Sequence, residues 1–281
     1  MGDLQQGTVD ANGVRFSLLS TGPAGGPLAL CLHGFPDTAW TWRFLLPRLA
    51  EAGFRAVAPF MRGYAPTAVP EDGRYDSRAL ADDANALHEA LGGDGQAVLI
   101  GHDWGAIAAY PAVAAAPERW RAAVTMAVPP PAALAGGLLT YDQIRRSFYV
   151  YFFQLPFAEA IVGADDLAFV ARLWEEWSPG YDAAADVARV REALGSPANL
   201  SAALGYYRAL FSPVGGGVSG GATPAHLALL YLHGRDDGCI GVSMAEAAGG
   251  EVVEGAGHFF HLEKPGEVGG RVVAFLTGTT T

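Results

Sequence analysis

Short apolar runs that stop at a turn residue recur along this chain, and they narrow its possible folds more than any other feature. They are Leu28–Leu32 before His33-Gly34, Ala56-Val57-Ala58 before Pro59, residues 97–100 before Gly101 and residues 122–128 before three prolines. Residues 227–232 before His233-Gly234 and Glu251-Val252-Val253 before Glu254-Gly255 complete the set. Runs this short and nearly unalternated suit strands buried on both faces of a parallel sheet. Helix-length stretches lie between or after them, at residues 42–52, 77–91, 105–115 and 267–276. The alternation predicts an α/β fold with a mostly parallel central sheet flanked by helices. Ahead of it, Thr8-Val9-Asp10 and residues 14–19 flank Ala11-Asn12-Gly13. That reads as a hairpin, because Asn-Gly supplies the positive φ values of a tight turn.

The rhythm breaks between about Pro131 and Gly221. This stretch is rich in aromatics, reads as helical and contains no convincing buried strand. Its simplest account is a helical insertion after the sixth strand that covers the carboxyl edge of the sheet. The expected division is therefore a core of residues 1–131 and 222–281 with a helical cap of residues 132–221. The glycine-rich stretch at 215–221 lacks the GKS or GKT ending of a phosphate cradle and reads as a return linker.

Charge excludes several classes of function. The chain has 18 Lys+Arg against 29 Asp+Glu, a net charge of −11, and its one lysine is Lys264. With no basic run, neither nucleic acid nor an anionic membrane is an expected partner. No stretch approaches the ~18 apolar residues of a spanning helix, and the N-terminus lacks the cationic and apolar regions of a secretory signal. Cys31 and Cys239 make no disulfide framework and show no metal-ligand spacing, which suits a reducing cytoplasm. The composition leaves a homodimer open.

The most informative motif is Gly101-His102-Asp103-Trp104-Gly105, between a strand and a helical stretch. A sharp strand-to-helix turn of this G-x-nucleophile-x-G form thrusts its central side chain out above the sheet, beside a helix N-terminus that favours negative charge. Here that side chain is a carboxylate. Downstream come the acidic loop Gly234-Arg235-Asp236-Asp237 and then Gly255-Ala256-Gly257-His258, a histidine after the last strand. Nucleophile, acid and histidine follow one another in the chain order of a single triad architecture.

With His33-Gly34-Phe35-Pro36 after the third strand, these motifs make the chain resemble an α/β-hydrolase with a helical cap, and within that superfamily the epoxide hydrolases. Met61-Arg62-Gly63-Tyr64 is similar to the family's RGYG segment, although Ala65-Pro66-Thr67 departs from its usual ending. The resemblance implies Asp103 as nucleophile, His258 as base and Asp237 as its acid, with Asp236 a rival for the last role. It implies an oxyanion hole from the backbone N–H groups of Phe35 and Trp104. In the cap, residues 148–156 and Gly205-Tyr206-Tyr207-Arg208 are similar to the two segments that carry the ring-opening tyrosines. These map onto Tyr149 and Tyr207, with Tyr151 and Tyr206 as neighbours one helical slip away. Trp104, Phe35, Phe153 and Tyr206 are expected to line the substrate pocket. No cofactor or metal is expected, and the partners are a small apolar epoxide and water.

The aspartate itself narrows the chemistry. A serine attacking a saturated carbon would leave an ether, whereas a carboxylate leaves an ester that activated water can cleave, dividing one hard displacement into two steps. Two other readings share the motif. A haloalkane dehalogenase would use the same nucleophile, but Phe35 lacks a side-chain N–H for the halide, leaving Trp104, Trp174 or Trp177 to supply it. A catalytically silent ligand-binding homologue would keep the pocket without needing the full Asp, His and acid set.

Overall fold

The computed structural model describes residues 4–212, 224 and 227–278. Eight strands form one sheet: β1 (Gln5–Ala11), β2 (Val14–Thr21), β3 (Leu28–Leu32), β4 (Arg55–Pro59), β5 (Ala97–His102), β6 (Trp120–Met126), β7 (Ala228–Gly234) and β8 (Glu251–Val253). Their spatial order is β1-β2-β4-β3-β5-β6-β7-β8. The β1–β2 and β2–β4 pairs are antiparallel and all the others parallel. Every residue of β3 and β5 is buried, as the unalternated runs require when helices cover both faces. The hairpin closes with Ala11 opposite Val14 and with Asn12 at φ 46° and Gly13 at φ 72°.

Helices follow their capping chemistry. Asp76 accepts the N–H of Ala79 at 3.0 Å and opens the helix Ser77–Ala90. The first helix differs from the expected 42–52: a 3₁₀ turn, Ala39–Phe44, precedes an α-helix at Leu45–Glu51. Thr38 caps the earlier turn, and Pro47 has no N–H to offer Arg43, so α-type bonding starts late.

Between β6 and β7 the described residues form helices and no strand: Pro131–Gly137, Tyr141–Arg146, Phe148–Phe152, Ala158–Val162, Ala168–Trp177, Ala184–Leu194 and Pro197–Leu210, besides one short 3₁₀ turn. The helix Ala168–Trp177 buries Val170, Leu173, Trp174 and Trp177, the spacing of a one-sided apolar stripe. This segment bonds to loops that follow the core strands. Trp174 Nε1 donates to the Pro36 carbonyl at 2.8 Å, Tyr206 Oη to that of Arg62 at 2.8 Å, and Asn199 Nδ2 to that of Gly63 at 2.7 Å. The glycine-rich residues 215–221, and with them the expected boundary at 221/222, lie outside the described residues. Among the described residues, no helix is long and apolar enough to cross a membrane.

The strand order reverses between β3 and β5, since β4 lies on one side of β3 and β5 on the other. In open α/β sheets such a switch point leaves a crevice beyond the carboxyl ends of the strands, where ligands bind. The loops that enter it here are His33-Gly34-Phe35-Pro36 and the turn at Asp103.

Candidate active site

Asp103 sits at φ 52°, ψ −118°, a conformation that side chains rarely adopt. The bend brings backbones so close that a Cβ on Gly101 would lie 2.2 Å from the Gly105 carbonyl oxygen, and one on Gly105 2.0 Å from that of Leu32. Glycine is the residue that fits both places. The side chain of Asp103 rises at the N-terminus of the helix Trp104–Ala115, and its Oδ1 accepts the Phe35 N–H at 2.7 Å. Burial pushes the carboxyl up to about 6, while His258 and the amides of Phe35 and Trp104 pull it down.

The other oxygen, Oδ2, lies 3.8 Å from Nε2 of His258, an atom with no hydrogen-bond partner. His258 Nδ1 meets Asp237 Oδ2 at 2.9 Å. Asp237 Oδ1 accepts the N–H groups of Cys239 at 2.7 Å and Ile240 at 3.0 Å. Burial opposes the charge on Asp237, but His258, His233 and the Ile240 amide outweigh it and hold the carboxyl below its ordinary value. Burial likewise disfavours a charged His258, and Asp237 and Asp103 reverse that, raising the imidazole above its ordinary value. Asp236 is exposed and makes no such contact, so the geometry separates the two rivals.

Two helices of the segment between β6 and β7, Phe148–Phe152 and Pro197–Leu210, bring phenols to the same place. Tyr149 and Tyr207 pack edge-on, ring centroids 5.5 Å apart, both buried and both near enough to Asp103 for its charge to raise their pKa beyond what burial does. Both therefore stay protonated. Tyr149 Oη pairs with Cys239 Sγ at 3.1 Å. Tyr207 Oη has no hydrogen-bond partner, although the Trp104 indole is close enough to lower its pKa slightly. Of the rival tyrosines, Tyr206 donates to the Arg62 carbonyl, whereas Tyr151 is part exposed and stands on the rim of the same cavity, its ring against that of Phe211.

A cavity of about 400 Å³ reaches Asp103, Trp104, Tyr149 and Tyr207. Its other walls are mostly apolar, Ile107, Leu134, Leu138, Leu210 and Ile240 among them, and among the described residues they include no Lys or Arg. Of the expected pocket residues, Trp104 lines this cavity and Phe35, Phe153 and Tyr206 do not. Those three pack behind it, Phe35 edge-on to Phe153 at 5.5 Å and to Tyr207 at 5.2 Å, while Tyr206 packs against Trp104 at 5.3 Å. The wall residues in and just after the helix Pro131–Gly137 had no motif to announce them. Cys239 was also missed, as a lone cysteine with no partner spacing. Its ligand atom and those of Asp103 and His258 all lie within 4.8 Å of one another.

His102 braces the backbone of His258: its Nε2 donates to the carbonyl of His258 at 2.9 Å. The helix Ala168–Trp177 holds His258 as well, since the carbonyl of Trp177 accepts the N–H of His258 at 2.8 Å and that of Gly238 at 3.2 Å.

An alpha/beta hydrolase fold family profile matches residues 27–265, and the chain belongs to that family. Within it, the chain is 31% identical to epoxide hydrolase A of Mycobacterium tuberculosis, with 99% of each chain covered. A solved structure from work on novel epoxide hydrolases in metagenomes from hot environments superposes with a TM-score of 0.84 at 26% identity, covering 98% of this chain and 99% of that one. The epoxide hydrolase of Vigna radiata gives 0.79 at 27% identity, with 99% of each covered.

Proposed function

We propose that the protein is an epoxide hydrolase that converts an apolar epoxide to a vicinal diol through an ester on Asp103. The observation that carries this reading is a carboxylate, not a hydroxyl, at the turn, facing a histidine with a free Nε2 and two protonated phenols. Division of the chain into a core and a cap of residues 132–221 is part of the proposal, as is action in the cytoplasm.

Each group has a task. Asp103 Oδ2 attacks an epoxide carbon, the C–O bond breaks, and Tyr149 or Tyr207 delivers a proton to the departing oxygen. Proton donation of this kind contributes roughly 10²–10⁴ in rate. Alkylation removes the charge of Asp103, one of the three carboxylates, with Asp237 and Asp37, that raise the pKa of His258, so the imidazole loses its proton more readily and becomes the base. His258 then takes a proton from water, which attacks Cγ of the ester. Asp237 orients and stabilises the imidazolium. Oδ1, already against the Phe35 N–H, carries the tetrahedral negative charge, with the Trp104 N–H as second donor. As the Cγ–Oδ2 bond breaks, the imidazolium returns its proton to the departing alkoxide, which leaves as the second hydroxyl of the diol. The carboxylic acid left on Asp103 gives its proton back to the phenolate, restoring carboxylate, imidazole and tyrosine.

For the dehalogenase reading, Phe35 offers no side-chain donor and the Trp174 N–H is committed to the Pro36 carbonyl, which leaves Trp104 and Trp177, while the two protonated phenols beside Asp103 suit a departing ring oxygen. Trapping decides the matter. His258→Gln incubated with styrene oxide and, separately, with an aliphatic epoxide should gain one substrate mass, located on Asp103 by peptide mass spectrometry. An adduct from haloalkanes alone would make the protein a dehalogenase, and none from any electrophile would favour a silent binding protein.

A further inference from the structure

The thiol of Cys239 has no part in the cycle just described, yet it sits among its central groups. We propose that Asp103, Cys239 and His258 form a binding site for a soft divalent cation such as Zn²⁺ or Cd²⁺, and that its occupancy shuts the enzyme off.

Three different donor atoms converge. Sulfur, imidazole nitrogen and carboxylate oxygen are the ligand set that zinc-class ions take from proteins. All three residues are buried, and their ligand atoms lie within 4.8 Å of one another. The imidazole offers Nε2, which has no partner and stands 3.8 Å from Asp103 Oδ2. Tetrahedral Zn–N and Zn–O bonds of about 2.0–2.2 Å would set that pair roughly 3.4 Å apart, so it needs to close by less than about half an ångström.

The surroundings are those of ligands held for a metal. His258 Nδ1 is bonded to the Asp237 carboxylate, Asp103 Oδ1 accepts the Phe35 N–H, and the Tyr149 hydroxyl lies 3.1 Å from the sulfur. Such outer contacts fix ring orientation and support a bound thiolate. The cavity lined by Asp103 and by Tyr149, whose hydroxyl meets the sulfur, provides the approach. Binding releases the thiol proton to solvent and forms the metal–sulfur bond, with no change of oxidation state. An ion so placed occupies the nucleophilic oxygen and the base together. Mg²⁺, which prefers oxygen ligands, should have no such effect.

The inference rests on the proposed function only for its rate readout. Metal content and spectrum stand apart from it and report whether or not the substrate class is right. Chelator-washed full-length protein should bind one Zn²⁺ or Co²⁺ per chain, with Co²⁺ giving a thiolate-to-metal charge-transfer band. Diol formation should fall at least tenfold in micromolar Zn²⁺ and recover with EDTA. Cys239→Ser and Cys239→Val, each compared with its own metal-free rate, should raise the half-inhibiting Zn²⁺ concentration at least tenfold. Should neither variant fold, the cobalt band of the wild type decides, because Cys31, in β3, is not among the residues whose ligand atoms converge here. Absence of that band, or equal Zn²⁺ sensitivity in a folded Cys239 variant, overturns the proposal.

Discussion

Asp103 is held in a place that suits its reactivity and not its solvation. Its carboxyl is raised from the usual 3.8 to about 6, chiefly by burial. In the unfolded chain it ionises near the ordinary value, so above pH 6 the folded state bears the whole penalty of a buried charge, and below about pH 4 it bears none. Asp103→Asn should therefore abolish turnover and raise stability at pH 8 by on the order of 1–3 kcal/mol. Denaturant titrations across pH should show that gain fading between pH 6 and 4. The neighbouring tyrosines give opposite expectations. Tyr207→Phe removes a buried hydroxyl that has no partner, so stability should hold or rise while ring opening slows by about 10². Tyr206→Phe leaves the Arg62 carbonyl without its donor and should cost about 1 kcal/mol with the rate changed by less than a few-fold.

The catalytic loops and the helix Ala168–Trp177 are joined by backbone, which makes that helix part of the site without giving it a reacting atom. Gly238 follows the triad acid, and a Cβ there would lie 2.0 Å from the Glu176 carbonyl oxygen. Gly238→Ala must push the helix and the acid loop apart. Overpacking of this kind should destabilise by about 1–3 kcal/mol and lower kcat at least tenfold, because Asp237 and His258 both shift. Gly270→Ala is the control: it lies in the last helix, Pro265–Thr277, with open space at its Cβ, and should stabilise by about 0.5–1 kcal/mol with kcat unchanged. Thermal melts and steady-state rates on the pair separate the close approach from any general effect of adding a methyl group.

Over the whole molecule, a net charge of −11 and a cavity whose described walls hold no Lys or Arg act together on any anionic reactant. An epoxide bearing a carboxylate meets repulsion on approach and again at Asp103. We expect kcat/KM for such an acid to fall at least tenfold below that of its methyl ester, with the gap narrowing as salt rises, since screening shortens the reach of surface charge to about 8 Å at 0.15 M. Equal values for acid and ester at low salt would contradict this account.

The elements that make the sheet and carry the turn were readable because each is specified locally. Apolar runs without alternation dictate strands covered on both faces, and the glycines of the Gly101–Gly105 motif dictate a bend that other residues cannot enter. Which side chains meet across that bend was not readable, because contacts between residues over a hundred positions apart depend on packing. Tyr206 and Tyr207 are adjacent on one helix and equal in type, and only the position of that helix against Arg62 gives one a carbonyl and the other the cavity. Asp236 and Asp237 are separated in the same way, by the direction in which a loop presents each carboxylate. Phe35 and Phe153 have the chemistry of pocket walls yet stand behind it, and Cys239, which no spacing marked, stands beside the nucleophile.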